Sequence, residues 1–198
     1  MANTDSLSAD ARKSIAKALV PFASRTIKPG IRTAGTTGFT MPAEPQLVQS
    51  LAQCVIPASA VTAPPKNPLT LLTPTGVWHH QVWSAGKPAY IAASEVGGLG
   101  SEEHEIQRWF ESPVAAAVND ALDWVDEQFP GDDDLVRLMV IPAYYCHALA
   151  VIMGKKVSVV LADKPEDWKE PKHKTIYPFA DFMAALAKHK PGGTLETT

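Results

Sequence analysis

Between Ala11 and Ala43 this chain has no acidic residue, and between Glu95 and Asp134 it has one basic residue, Arg108, against twelve Asp and Glu. Neither lack shows in the formal total of −3 over 198 residues, because the segments on either side of 95–134 are both net basic. Charge segregated in this way bears on docking and solubility rather than on fold. No stretch approaches the roughly 18 consecutive apolar residues that span a bilayer. Residues 1–10 are polar with an acid at Asp5, unlike a secretory leader. The expectation is a cytoplasmic protein with no membrane partner. The only two cysteines, Cys54 and Cys146, fit no Cys-x-x-Cys spacing, which excludes a zinc ribbon and a dithiol redox motif and leaves two buried free thiols as the expected state. Gly97-Gly98-Leu99-Gly100 follows a candidate strand but lacks both the dinucleotide spacing and the Walker lysine, so a nucleotide fold is disfavoured and no cofactor is expected.

What is present is enough for a core. At 45% hydrophobic and 20% charged, a chain of this length fits one domain over residues 1–198 without staples. Seventeen prolines are unevenly spread: Pro57, Pro64, Pro65, Pro68 and Pro74 crowd one run. Each fixes φ and removes a donor, so residues 21–75 read as an irregular Pro-rich arm, with Leu69, Leu71 and Leu72 needing burial against the domain. Residues 191–198 read as a disordered tail.

Ser8 is placed to cap a helix that Pro21 ends, with Ala11, Ile15 and Leu19 on one face. Leu47, Leu51, Cys54 and Val55 recur at helical spacing after Pro45, predicting a short helix to about Val55. Val77–Trp83 and Pro88–Ala93 flank a Ser-Ala-Gly-Lys turn and predict a β-hairpin, with Trp78, His80 and Val82 on one face and His79, Gln81 and Trp83 on the other. Ser101 predicts a short helix whose first turn carries Glu102, Glu103 and Glu105. Ser112-Pro113 opens a longer one to Phe129, which Pro130-Gly131 stops. Leu135–Ile141 and Tyr144–Met153 predict strands. The Gly154-Lys155 turn predicts a hairpin in which Ile152 meets Val157, Ala150 meets Val159 and Ala148 meets Leu161 on one face, while Val151 meets Ser158 and Leu149 meets Val160 on the other. A last helix covers about Pro178–Lys188. The order gives an α+β fold: a mainly antiparallel sheet of about five strands in two hairpins, packed with a long central helix, N-terminal helices and the arm.

Three clusters hold residues able to do chemistry: His79-His80-Gln81, Glu103-His104-Glu105 and Tyr144-Tyr145-Cys146-His147. Imidazole, thiolate and carboxylate are the ligand set of zinc, but no His-x-x-x-His or His-Glu-x-x-His spacing occurs, and strand neighbours point to opposite faces; no metal site is expected. A Cys146 nucleophile paired with His80 or His104 is conceivable, although Cys146 lies mid-strand among alanines, a packing position. Most paired carboxylates of the acidic middle read as a solvated face, and Asp132-Asp133-Asp134 fails the Ca²⁺-loop pattern. Trp78, Trp83, Trp109 and Trp124 could floor a pocket or seam a core. The basic N-terminal stretch carries few aromatics and the chain is acidic overall, so nucleic acid is not the expected partner.

Acids in a first helical turn complement the dipole, but Asp126 and Glu127 stand in a last turn, where the dipole opposes them. Two readings follow. One is a non-enzymatic interaction or accessory protein that uses Trp109, Asp120, Asp123, Trp124, Asp126 and Glu127 to dock a basic protein partner or its own basic arm, by self-association among other routes. The other is a small hydrolase-like or metal-binding enzyme built on His80, His104, Cys146 and His147.

Overall fold

The computed structural model describes residues 3–4, 7–26, 46–84, 87–96, 104–110, 113–129 and 134–192. After strand β1 (Asn3–Thr4) comes helix α1 (Ala9–Thr26), capped as expected: Ser8 Oγ accepts the Ala11 amide at 3.0 Å, and Ala11 and Ile15 are buried. Pro21 does not end it. The proline forfeits the bond to the Lys17 carbonyl, and α1 nonetheless continues to Thr26.

The remaining elements are β2 (Gln46–Val55), α2 (Ala58–Thr62), β3 (Val77–Ser84), β4 (Lys87–Val96), β5 (His104–Phe110), α3 (Pro113–Gln128), β6 (Leu135–Ile141), β7 (Cys146–Met153), β8 (Lys156–Asp163), β9 (Ile176–Pro178) and α4 (Phe179–Leu186). One sheet joins the strands in the order β5-β4-β3-β2-β6-β7-β8-β9, with β1 beside β6. It is two antiparallel meanders, β2 to β5 and β6 to β9, meeting at a parallel seam where Gln53, Cys54 and Val55 face Leu138, Met139 and Val140. Chain direction explains the seam. α3 carries the chain from β5 at one edge back to β6, and it packs on β4, β7 and β8.

The α+β architecture and all five expected strands are present and most pairings are antiparallel, as expected, but the parallel pairings of β6 with β2 and β1 make the sheet mixed, it has nine strands rather than about five, and two segments expected as helices are strands. Residues 46–55 are β2, inside the sheet between β3 and β6. Leu47, Leu51, Cys54 and Val55 do fit a helical face, but Ser50, Leu51, Ala52 and Cys54 are all buried, because layers cover both faces of an interior strand. His104–Phe110 is β5, where Ile91 and Glu95 of β4 face Phe110 and Glu105. Pairing to β4 overrides a first-turn pattern of acids.

Of the stretch expected as an irregular arm, residues 21–26 continue α1, 46–55 form β2 and 58–62 form α2. Residues 63–75 keep the Pro-rich course, with one 3₁₀ turn at Pro68–Leu71. They are anchored at Leu72, whose side chain is buried and whose carbonyl accepts both the Cys54 thiol at 3.1 Å and the Arg137 guanidinium. Gly97–Gly100, the Ser101 and Ser112 caps, Pro130-Gly131, Asp132-Asp133 and residues 193–198 of the expected tail lie outside the described residues.

Two apolar layers sandwich the second meander. On one side Leu51, Leu138, Leu149, Val151 and Val160 meet Val118, Leu122 and Val125 of α3. On the other, Met139, Cys146, Ala148, Val159 and Leu161 meet Val61 of α2 and Phe182, Met183 and Leu186 of α4. Burying each side chain of leucine size contributes roughly 1.5–3 kcal/mol. The β7–β8 register matches the expected one at all five pairs, since Gly154, at φ 61, takes the first turn position alone. Among the described residues no helix is long and apolar enough to cross a membrane.

Candidate functional site

The strand rows fix how far apart the candidate histidines and cysteine are. His80 faces Ser50 on β2, whereas His147 faces Val140, which in turn faces Val55, five residues along β2 from Ser50. Three strand spacings and five residue rises separate them by roughly 20 Å. His104, opposite Val96 on the edge strand β5, is four rows and two strands from His80, roughly 16 Å at the backbone. The four residues do not converge. Among the described residues, no three His, Cys, Asp or Glu side chains gather as metal ligands.

Each residue has a local setting. His80 is fully buried and shares a 2.8 Å hydrogen bond between Nδ1 and Ser50 Oγ. His79, on the opposite face, donates from Nε2 to Gln53 Oε1, and Gln81 donates to Asn119 Oδ1 of α3. Cys146 packs in the α4-side core, where burial, with the Asp163 charge as a lesser cause, pushes its thiol up to about 12. A thiol so held is not a nucleophile at neutral pH. Cys54 is likewise buried, its thiol hydrogen-bonded to the Leu72 carbonyl.

His147 meets a second ionisable group: its Nδ1 lies 3.6 Å from Asp163 Oδ2. Burial holds its pKa below the usual imidazole value, and Asp163 opposes that shift. Asp163 was not legible as a site residue. The Gly154-Lys155 register carried to the end of the hairpin puts Ala162 opposite His147, and only a slip between His147 and Ala148 brings Asp163 there. No feature of the sequence signals that slip.

The acids of α3 form one continuous surface. Asp120, Asp123 and Glu127 are exposed and Asp126 is partly so. Spacings of three and four residues make them neighbours along the helix. The Asp123 carboxyl is raised above its ordinary value by partial burial first, then by the charges of Asp126, Asp120 and Glu127. Asp120 is held by Lys174 Nζ at 3.0 Å, a cation supplied from the segment before β9. Trp124 stands among these acids, half-buried, with one side packed on the α3-side core. Trp109 is on β5 opposite Ala92; its side chain and that of His104 lie outside the described set. Comparison with protein-family models, with curated proteins and with solved structures finds no match to this chain.

Proposed function

We propose that this chain is an interaction or accessory protein whose working surface is the acidic face of α3, docking a basic protein segment, either another chain or its own 11–43 stretch. The observation that carries this reading is the placement of Asp120, Asp123, Asp126 and Glu127 three and four residues apart on α3, with Asp120, Asp123 and Glu127 exposed. Partial burial first, and then the three neighbouring acids, raise the Asp123 carboxyl, so the surface is assembled partly against its own electrostatics. Like charges three and four residues apart destabilise a helix, and the dipole adds to that cost at Asp126 and Glu127. A surface that costs stability in the free protein and regains it against a cation is the usual trade between stability and function. The Lys174–Asp120 pair shows the same chemistry within the chain: an exposed lysine brought to this face from a distant segment.

Trp124 supplies the apolar anchor, since aromatic side chains flanked by charge recur at interface centres. The test is reversal of Asp120, Asp123 and Glu127 to lysine, with light scattering for oligomeric state and affinity co-purification for partners. The docking reading expects one of the two to change. An unchanged mass together with an unchanged set of co-purifying proteins overturns it.

A further inference from the structure

The irregularity in the β7–β8 hairpin turns a second pair of groups toward each other, away from the acidic helix. From Met153 and Lys156 to Ala148 and Leu161 the pairing is regular; one residue later Asp163, not Ala162, stands opposite His147. A bulge inserts one residue into a strand and re-aims the side chain that follows. Here Ala162 remains in the α3-side layer, and the extra residue brings Asp163 to the same face as His147. Without the slip, alternation would turn the carboxylate to the other side of the sheet.

The pair is open on one side. Each side chain is about a quarter exposed, at 25% for His147 and 27% for Asp163. His147 Nδ1 is itself buried and has no hydrogen-bond partner, being just beyond bonding distance of the carboxylate. The open part of the ring therefore lies toward Nε2. A carboxylate only accepts, so a neutral imidazole facing it carries its proton on Nδ1 and presents the Nε2 lone pair to solvent. Contacts of this kind are often long in free enzymes and tighten when substrate arrives. Beside the imidazole, Val140 and then Val55 continue the same row across β6 and β2; Val140 is partly buried and Val55 is 40% exposed. That makes an apolar shelf next to a base. Lys164, the nearest cation in sequence, is turned to the Trp168 carbonyl. The Cys146 thiol sits in the opposite layer and takes no part.

We propose that His147 and Asp163 form a catalytic dyad in which Asp163 positions the imidazole and Nε2 attacks activated acyl esters whose apolar part rests on Val55 and Val140. In the first half-reaction Nε2 bonds to the acyl carbon, and the carbon–oxygen bond to the leaving group breaks, releasing an alkoxide or phenolate. In the second, water adds its oxygen to the acyl carbon, the carbon–nitrogen bond breaks with its electron pair returning to Nε2, the carboxylic acid leaves with one of the water's protons, and the other passes through solvent to the alkoxide or phenolate. The sum is ester plus water to acid plus alcohol. His147 is the catalytic residue and Asp163 its positioning residue, in the division of labour by which a carboxylate sets an imidazole's tautomer.

The experiment uses the full chain with p-nitrophenyl butyrate as probe. The expected results are hydrolysis above buffer, loss of the increment in His147→Gln, and a fall of at least about tenfold in kcat with little change in KM in Asp163→Asn. ¹⁵N chemical shifts of the imidazole in the unmutated protein give a readout that folding of a variant cannot confuse. The proton is expected on Nδ1, moving toward a mixture of tautomers in Asp163→Asn and returning in Asp163→Glu. Hydrolysis equal in His147→Gln and the unmutated chain, hydrolysis no faster than buffer, or a proton found on Nε2 each overturns the dyad.

Discussion

The two meanders of this sheet differ in what they bury. Among the described residues every buried polar side chain (Ser50, His79, His80, Gln81 and Asn119) belongs to β2, β3 or the part of α3 above them, while β6 to β8 bury Val136, Leu138, Leu149, Val151, Val159 and Val160 with no polar partner. In the second meander the free energy comes from apolar area on both faces. In the first, much of it depends on hydrogen bonds being made, where each net bond contributes only about 0.5–1.5 kcal/mol. One polar atom there is left over: Asn119 Nδ2 is buried with no partner, although its Oδ1 takes the Gln81 amide. The same α3 therefore sits on an apolar floor at β7 and β8, reaches a polar contact at Gln81, and turns an acidic face outward.

The largest expected effect breaks the apolar half. Phe182→Ala or Leu149→Ala, each at a site with no exposure, should cost about 3–5 and 2–5 kcal/mol respectively in denaturant unfolding. Ser50→Ala in the polar half removes a hydrogen bond from the buried His80 ring and should cost about 1–3 kcal/mol. A larger loss there than at Phe182 would reverse the comparison. Replacing Gln81 and Asn119 together by leucine removes the unpartnered donor with both members of its pair. That double variant should be neutral or more stable, by no more than about 1–3 kcal/mol, and a marked drop in unfolding midpoint would show that the amide pair is satisfied.

The smallest expected effect lies on the acidic face. Because the folded-state carboxyl of Asp123 has a raised pKa, its charged form is disfavoured by folding, and the penalty is present once pH exceeds the folded value. Asp123→Asn should raise Tm slightly at pH 7, and the gain should vanish as pH falls below the unfolded carboxylate range near 3.8. The opposite sign of group is His147: its lowered pKa means that stability is full above about 6.5 and is lost as pH falls toward the folded value. In Asp163→Asn the folded imidazole pKa should be lower still, so the loss begins at the same pH but extends further down, as NMR titration of His147 would show.

The apolar half was also the legible half. A two-residue turn led by Gly154 sets the register of β7 and β8, so all five expected pairs hold as far as Ala148 and Leu161. α4 was legible for a similar reason: Phe179, Phe182, Met183 and Leu186 repeat at helical spacing and are all buried. In the polar half the signals conflict. Leu47, Leu51, Cys54 and Val55 satisfy a helical period within an interior strand, and Glu102, Glu103 and Glu105 imitate a helix start beside the edge strand β5. Periodicity decides between helix and strand only when one face is polar, and an interior strand has no such face. For the sites, the acids of α3 could be read directly as one helical surface, whereas Asp163 could not be paired with His147, because a bulge is a property of the folded ladder.

The docking surface is tested most directly by titrating a fluorescein-labelled peptide of residues 11–43, which carries six cations and no acid, into the full chain and into its Asp120→Asn, Asp123→Asn, Glu127→Gln variant. Anisotropy at 50 and 200 mM salt reads both affinity and its electrostatic share. Binding to the unmutated chain that weakens at least about tenfold in the neutralised variant, with a shallower salt dependence, is the predicted result. Equal affinity and an equal salt slope in the two proteins would contradict it.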